Sequence, residues 1–165
     1  MEVFRGKRLW IEKRTVRDPH GKEHEKVIVH PNNAVAIFPV DKDRCKLLKQ
    51  YRFAIDQYIY EAPAGTIEPG EDPVKTAHRE LIEETGFAAQ TIVLKGFIYT
   101  TPGYTDEKIF LFEARDLSPS EEYGKDEDEV IEVVDIATGD LKGMIKDGRI
   151  VDAKTICLIH HCLGC

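Results

Sequence analysis

Hydrophobic and polar positions change their rhythm several times along the chain. Two alternating segments, Val3 to Val16 and Glu23 to His30, flank Asp18-Pro19-His20-Gly21, which is turn chemistry, so residues 1–32 are read as a β-hairpin ahead of the main domain. From Ala34 to Val40 the chain is almost wholly apolar. After a turn at Asp41-Lys42-Asp43 come a second run, Cys45 to Phe53, and a third, Tyr58 to Glu61; these predict central strands buried on both faces, with Tyr51, Phe53, Tyr58 and Tyr60 in the sheet core. Pro63-Ala64-Gly65 reads as a turn. Thr91 to Thr100 and Lys108 to Ala114 alternate again, residues 118–129 are polar and acidic and read as a mobile loop, and Val130 to Ile136 gives a last strand. Leu141 to Ile145 and Thr155 to Leu163 carry helical spacing, with a break at Gly148. Strands mixed with helices in residues 33–165 make the chain α/β.

The stretch that carries chemistry lies between Gly65 and Phe87. Pro73 suits a first helical position, Glu71 and Asp72 flank it, and Gly86 stands where a C-cap belongs. Val74, Ala77 and Leu81 supply an apolar stripe for the core. On the other face Glu80, Glu83 and Glu84 project from about one turn, where like charges repel by roughly 0.2–0.5 kcal/mol per pair. Arg79 neutralises part of this, and Mg²⁺ or Mn²⁺ could neutralise the rest, since both prefer carboxylate oxygens and keep waters that a phosphate can displace. For Glu-x-x-Glu-Glu alone, a solvated acidic face is the plainer reading.

The net charge of −7 excludes general nucleic-acid binding, for which a basic stripe is expected. It also means that an anionic substrate needs cations to approach. No apolar run reaches the ~20 residues of a membrane span and no signal-peptide core opens the chain, so cytoplasm is the expected location. Cys162-x-x-Cys165 beside His160 and His161 lacks a second cysteine pair and is read as the end of a helix with free thiols. His20, His24, His30 and His78 are read as surface residues.

The whole spacing says more than the carboxylates do. Gly65, five residues, Glu71, seven residues, Arg79-Glu80-Leu81, one residue, Glu83-Glu84, one residue and Gly86-Phe87 together resemble the signature box of the Nudix hydrolases. Phe87 stands where a smaller aliphatic is more usual. Outside the box, Gln50-Tyr51-Arg52, Glu61-x-Pro63-Ala64-Gly65 and Pro102-Gly103-Tyr104-Thr105-Asp106-Glu107 resemble the ADP-ribose pyrophosphatase branch, with Pro102 sixteen residues after Gly86. The resemblance implies an α/β/α sandwich with a mixed sheet and a homodimer that exchanges its N-terminal hairpin. It implies Mg²⁺-dependent hydrolysis of a nucleoside diphosphate sugar, ADP-ribose, to AMP and ribose 5-phosphate.

Site roles follow from the same likeness. Glu80, Glu84 and Glu83, with the carbonyl of Ala64, would hold metal; Arg79 would hold the glutamates. Arg52 would bind the diphosphate, Glu61 and Glu107 would contact the ribose hydroxyls or the metal waters, and Pro102 and Gly103 of the loop would line the substrate. The catalytic base would come from the acidic loop, Glu127 first and Glu129 second. Val27 to His30 would supply part of an adenine wall. Three other readings stay open: another substrate such as NADH or a different sugar nucleotide, a sensor that binds ADP-ribose without cleaving it, and a structural or interaction module, for which the sequence carries no positive sign.

Overall fold

The computed structural model describes residues 1–124 and 130–164. The N-terminal segment is a three-stranded antiparallel sheet of β1 (Glu2–Arg5), β2 (Leu9–Arg17) and β3 (Glu23–Pro31), where a two-stranded hairpin is expected. The extra strand arises at Gly6, whose N–H donates to the Leu9 carbonyl and turns the first alternating segment back on itself. The sheet meets the main domain through Val29, whose N–H donates to the Tyr104 carbonyl at 2.8 Å.

The main sheet is built from β4 (Ala34–Asp41), β5 (Arg44–Arg52), β6 (Gln57–Glu61), β7 (Ala64–Thr66), β8 (Phe87–Tyr99), β9 (Lys108–Pro119) and β10 (Ile131–Ala137). Its order is β10-β5-β4-β9-β8, with β6 on β5 and β7 on β4; β4 runs parallel to β9 and the other ladders are antiparallel, so the sheet is mixed. Strands β4 and β5 pair only at Val40–Cys45 and Asp41–Arg44 before they part. Below that fork β6 continues one side and β7 the other.

Helix α1 (Pro73–Thr85) covers one face, packing Ala77 and Leu81 on Val35, Ile37 and Phe112. Helices α2 (Leu141–Lys146) and α3 (Ala153–Leu163) cover the other, where Leu141, Leu158 and Ile159 meet Ala36, Phe38, Leu47 and Leu111. This is the α/β/α sandwich. Its sharing of β4 between two cores follows from sequence: a strand with no polar alternation can be buried only from both sides.

Several expectations are corrected. Val74 is 47% exposed, so the buried residues of α1 are Thr76, Ala77, Leu81, Ile82, Glu84 and Thr85, not a stripe beginning at Val74. The Pro63-Ala64-Gly65 turn runs into β7, and Ser118 and Pro119 end β9 instead of opening a loop. Phe53 is 78% exposed and Tyr58 also faces solvent, packed edge-on around Tyr51 at the β5–β6 hairpin tip, because Phe53 lies in the turn beyond β5 and Tyr58 stands where β6 leaves that turn. His30 is not a free surface group: it stacks on Trp10 with centroids 3.9 Å apart and bonds Asp106 and Glu12. Glu127 and Glu129 lie outside the described residues.

Candidate active site

The box helix starts as its sequence dictates. Asp72 caps it by accepting a hydrogen bond from the Val74 N–H at 2.8 Å, and Gly86 ends it in the left-handed region, φ 73°, where its N–H donates to the Ile82 carbonyl. Residues three and four apart then share a face. Arg79 is the hub of that face. Its Nη1 donates to Glu80 Oε1 at 2.7 Å and to Glu83 Oε2 at 2.8 Å, while Nε and Nη2 reach both oxygens of Glu71 at 3.3 and 3.2 Å. Gly70, at φ 83°, turns the preceding loop so that Glu71 arrives there. Burial alone would lower the pKa of Arg79, but the surrounding carboxylates outweigh it and raise it, and the hydrogen bonds from Arg79 in turn hold Glu71 below the ordinary carboxylate value.

The carboxylates are also set against backbone. Glu84 Oε2 accepts from the Ala64 N–H at 2.8 Å, and Glu80 lies so close to Gly65 that a Cβ built there would meet its carboxyl carbon at 2.0 Å. Only glycine leaves that space. Hard oxygen donors from one helix face, beside a backbone turn kept narrow by glycine, fit a hard divalent cation. Among the described residues no three acidic, histidine or cysteine side chains converge as a finished ligand cage, because Arg79 stands between the carboxylates as their counter-charge.

A cleft of about 1410 Å³ runs past this face. It brings together Arg52, Ala64, Arg79, Glu80, Glu83, Glu84 and Glu107. Glu107 accepts from Thr100 Oγ1 at 2.7 Å. Pro102 and Gly103 are exposed on the loop and do not line the cleft. Gly124 and Ile131, which flank the acidic segment, do line it.

Glu61 is placed differently from the box glutamates. It is only 1% exposed, and Arg52 donates to both its oxygens, Nε to Oε1 at 2.5 Å and Nη2 to Oε2 at 2.6 Å. The Lys154 ammonium bonds Oε2 as well. Burial pushes the Glu61 pKa up, but Arg52 and Lys154 more than offset this and hold it below the ordinary value.

Lys154, Asp152, Lys7 and Arg8 also line the cleft, and the sequence pattern did not single them out. For Lys154 and Asp152 a signal existed: Asp152 with Thr155 three residues on is an N-cap pattern that starts α3 earlier than apolar spacing shows. For Lys7 and Arg8 it was Gly6, a breaker inside an alternating run. Cys157 lines the cleft as well, whereas burial pushes the Cys45 thiol up to about 12 and that of Cys162 up to about 11, which disfavours thiolate there.

A family model of the NUDIX domain matches residues 30–157. The ADP-ribose pyrophosphatase of Bacillus subtilis (strain 168) is 37% identical over 97% of this chain and 88% of its own length. The methanol dehydrogenase activator of Bacillus methanolicus is 34% identical over the same shares. The GDP-mannose pyrophosphatase of Cronobacter sakazakii (strain ATCC BAA-894) is 32% identical over 89% of this chain and 82% of its own. Among solved structures, an ADP compounds hydrolase superposes with a TM-score of 0.88 at 25% identity, covering 99% of this chain and 89% of that one.

Proposed function

Because the chain belongs to the Nudix family, we propose that it is a hydrolase that adds water across the diphosphate of ADP-ribose, giving AMP and ribose 5-phosphate. The observation that carries this reading is the clamp of Arg79 on Glu71, Glu80 and Glu83, with Glu80 seated against Gly65 at the wall of the cleft. That arrangement concentrates negative charge at one place in a protein that must accept an anion.

Glu80, Glu83 and Glu84, with the Ala64 carbonyl, would hold a divalent cation, Mg²⁺ or Mn²⁺, which when bound supplies a more acidic water and a counter-charge for the diphosphate. Arg79 fixes the rotamers of its glutamates. Arg52, a forked donor on the cleft wall, binds the diphosphate, and Glu107 contacts the sugar side of the substrate. Pro102 and Gly103 shape the loop that carries Glu107. Glu127, with Glu129 second, takes the proton of the attacking water; Glu127→Gln should lower kcat more than KM, and the same effect from Glu129→Gln alone would move the role two residues on.

Among the described residues no helix is long and apolar enough to cross a membrane. We place the enzyme in the cytoplasm and propose a homodimer joined through residues 1–32, whose Val3, Phe4 and Val27 are exposed in the single chain. Light scattering on the eluted protein tests the dimer by mass.

Product analysis tests the function. ADP-ribose, NADH, ADP-glucose and GDP-mannose are each incubated with purified protein, with and without Mg²⁺. Metal-dependent release of AMP, fastest from ADP-ribose, is the expected result. Faster cleavage of GDP-mannose would overturn the specificity, and saturable binding of ADP-ribose without turnover would make the protein a sensor.

A further inference from the structure

The first turn of α3 is tied to the strand that enters the box. Asp152 caps the helix, its Oδ2 accepting from the Thr155 N–H at 3.0 Å and from Thr155 Oγ1 at 2.5 Å. Thr155 Oγ1 in turn accepts from the Ala62 N–H at 2.7 Å. Between them Lys154 reaches two carboxylates: Glu61 Oε2, and Asp152 Oδ1 at 3.1 Å. Its side chain is 12% exposed and lines the cleft, yet its ammonium is spent on acids of this chain. Glu61 is thus a buried carboxylate between two cations, Arg52 on β5 and Lys154 on α3, and no other charged group shares its oxygens among the described residues.

We infer that Lys154 is a positioning residue for substrate binding: it anchors Glu61 from below so that Glu61 can fix the guanidinium of Arg52 on the cleft wall. The inference rests on the reading of Arg52 as the group that binds the diphosphate. Its physical basis is that a carboxylate this buried tolerates its charge only when paired and hydrogen-bonded. With Lys154 present, both Glu61 oxygens are acceptors and the fork of Arg52 is met on two points. Without it, Glu61 is one cation short, and uptake of a proton would turn one of those acceptors into a donor facing Arg52. Arg52 would then lose its fixed plane, and planar recognition of a diphosphate would weaken while the carboxylate face of α1 stays as it is.

The test uses Lys154→Met, Lys154→Arg, Glu61→Gln and the double variant Glu61→Gln/Lys154→Met in the full chain. Steady-state kinetics with ADP-ribose and Mg²⁺ give kcat and KM, and calorimetric titration of ADP-ribose in EDTA gives Kd without turnover. The expected result is that Lys154→Met raises both KM and Kd about tenfold, leaves kcat within about threefold, and is largely rescued by Lys154→Arg. The double variant should bind no more weakly than Glu61→Gln, since one residue acts through the other. Full additivity, or a fall in kcat at unchanged KM and Kd, would overturn the inference. So would unchanged kinetics and binding in Lys154→Met. If the wild type binds ADP-ribose in EDTA but does not turn it over when Mg²⁺ is supplied, the hydrolase reading fails while the binding comparison still decides the role of Lys154.

Discussion

Two ion networks meet at the cleft, and their charge balances differ. On α1 a single guanidinium, Arg79, serves Glu71, Glu80 and Glu83, with Glu84 beside them on the Ala64 N–H. Across the fork between β4 and β5, two cations, Arg52 and Lys154, meet two carboxylates, Glu61 and Asp152. The first has negative charge to spare, and the second is balanced within itself. A site proposed to take both a cation and a diphosphate needs the acidic surplus kept apart from the cations that meet the anion, and a fold that splays two strands provides the separation. Composition alone hides this, because the overall charge of −7 averages over both.

The comparison can be broken at either end. The largest effect is expected on the acidic side: Glu84→Gln removes one of the proposed ligands and should lower kcat roughly a thousandfold at unchanged thermal stability. Wild-type turnover in that variant would contradict the metal assignment. Gly65→Ala comes next, since its Cβ would occupy the space of the Glu80 carboxylate, and a displacement near 1 Å should cost about a hundredfold in kcat. On the basic side Arg52→Lys keeps the charge and loses the fork, so KM for ADP-ribose should rise about tenfold with kcat less affected.

Smaller effects sharpen the contrast through pH. Glu61 is held below its ordinary value of 4.5, so its pairing contributes stability in full above 4.5 and loses it as pH falls through the lower, folded-state value. Melting temperature measured against pH should therefore drop below pH 4.5 in the wild type and drop less steeply in Glu61→Gln. The smallest effect is expected at Val74, whose replacement by serine should change stability by less than about 0.5 kcal/mol, whereas Leu81→Ala, in the core on the same helix, should cost about 2–5 kcal/mol.

How much of this was legible in sequence depends on range along the chain. The acidic network is local: Glu71 to Gly86 lie within one loop and one helix, so spacing alone places Glu80, Glu83 and Glu84 on one face and Gly86 at the cap. The basic network is not. Arg52 and Glu61 sit on neighbouring strands, and Lys154 joins them from 93 residues beyond Glu61, a contact that only the packing of α3 on the sheet creates. Exposure was misread for the same reason. Phe53 and Val74 look like core by type and period, but which face a helix or another strand covers is decided by partners far away in sequence. Gly6 is the reverse case, a local signal inside an alternating run that does break the strand.

The most direct test of the division of labour is the rate of ADP-ribose hydrolysis measured over a grid of free Mg²⁺ and substrate concentrations for wild type, Glu84→Gln and Arg52→Lys. The account predicts turnover only with Mg²⁺, an altered Mg²⁺ dependence and low kcat in Glu84→Gln at near-normal KM for ADP-ribose, and a raised KM with normal Mg²⁺ dependence in Arg52→Lys. Turnover by the wild type in EDTA, or an exchange of those two phenotypes, would contradict it.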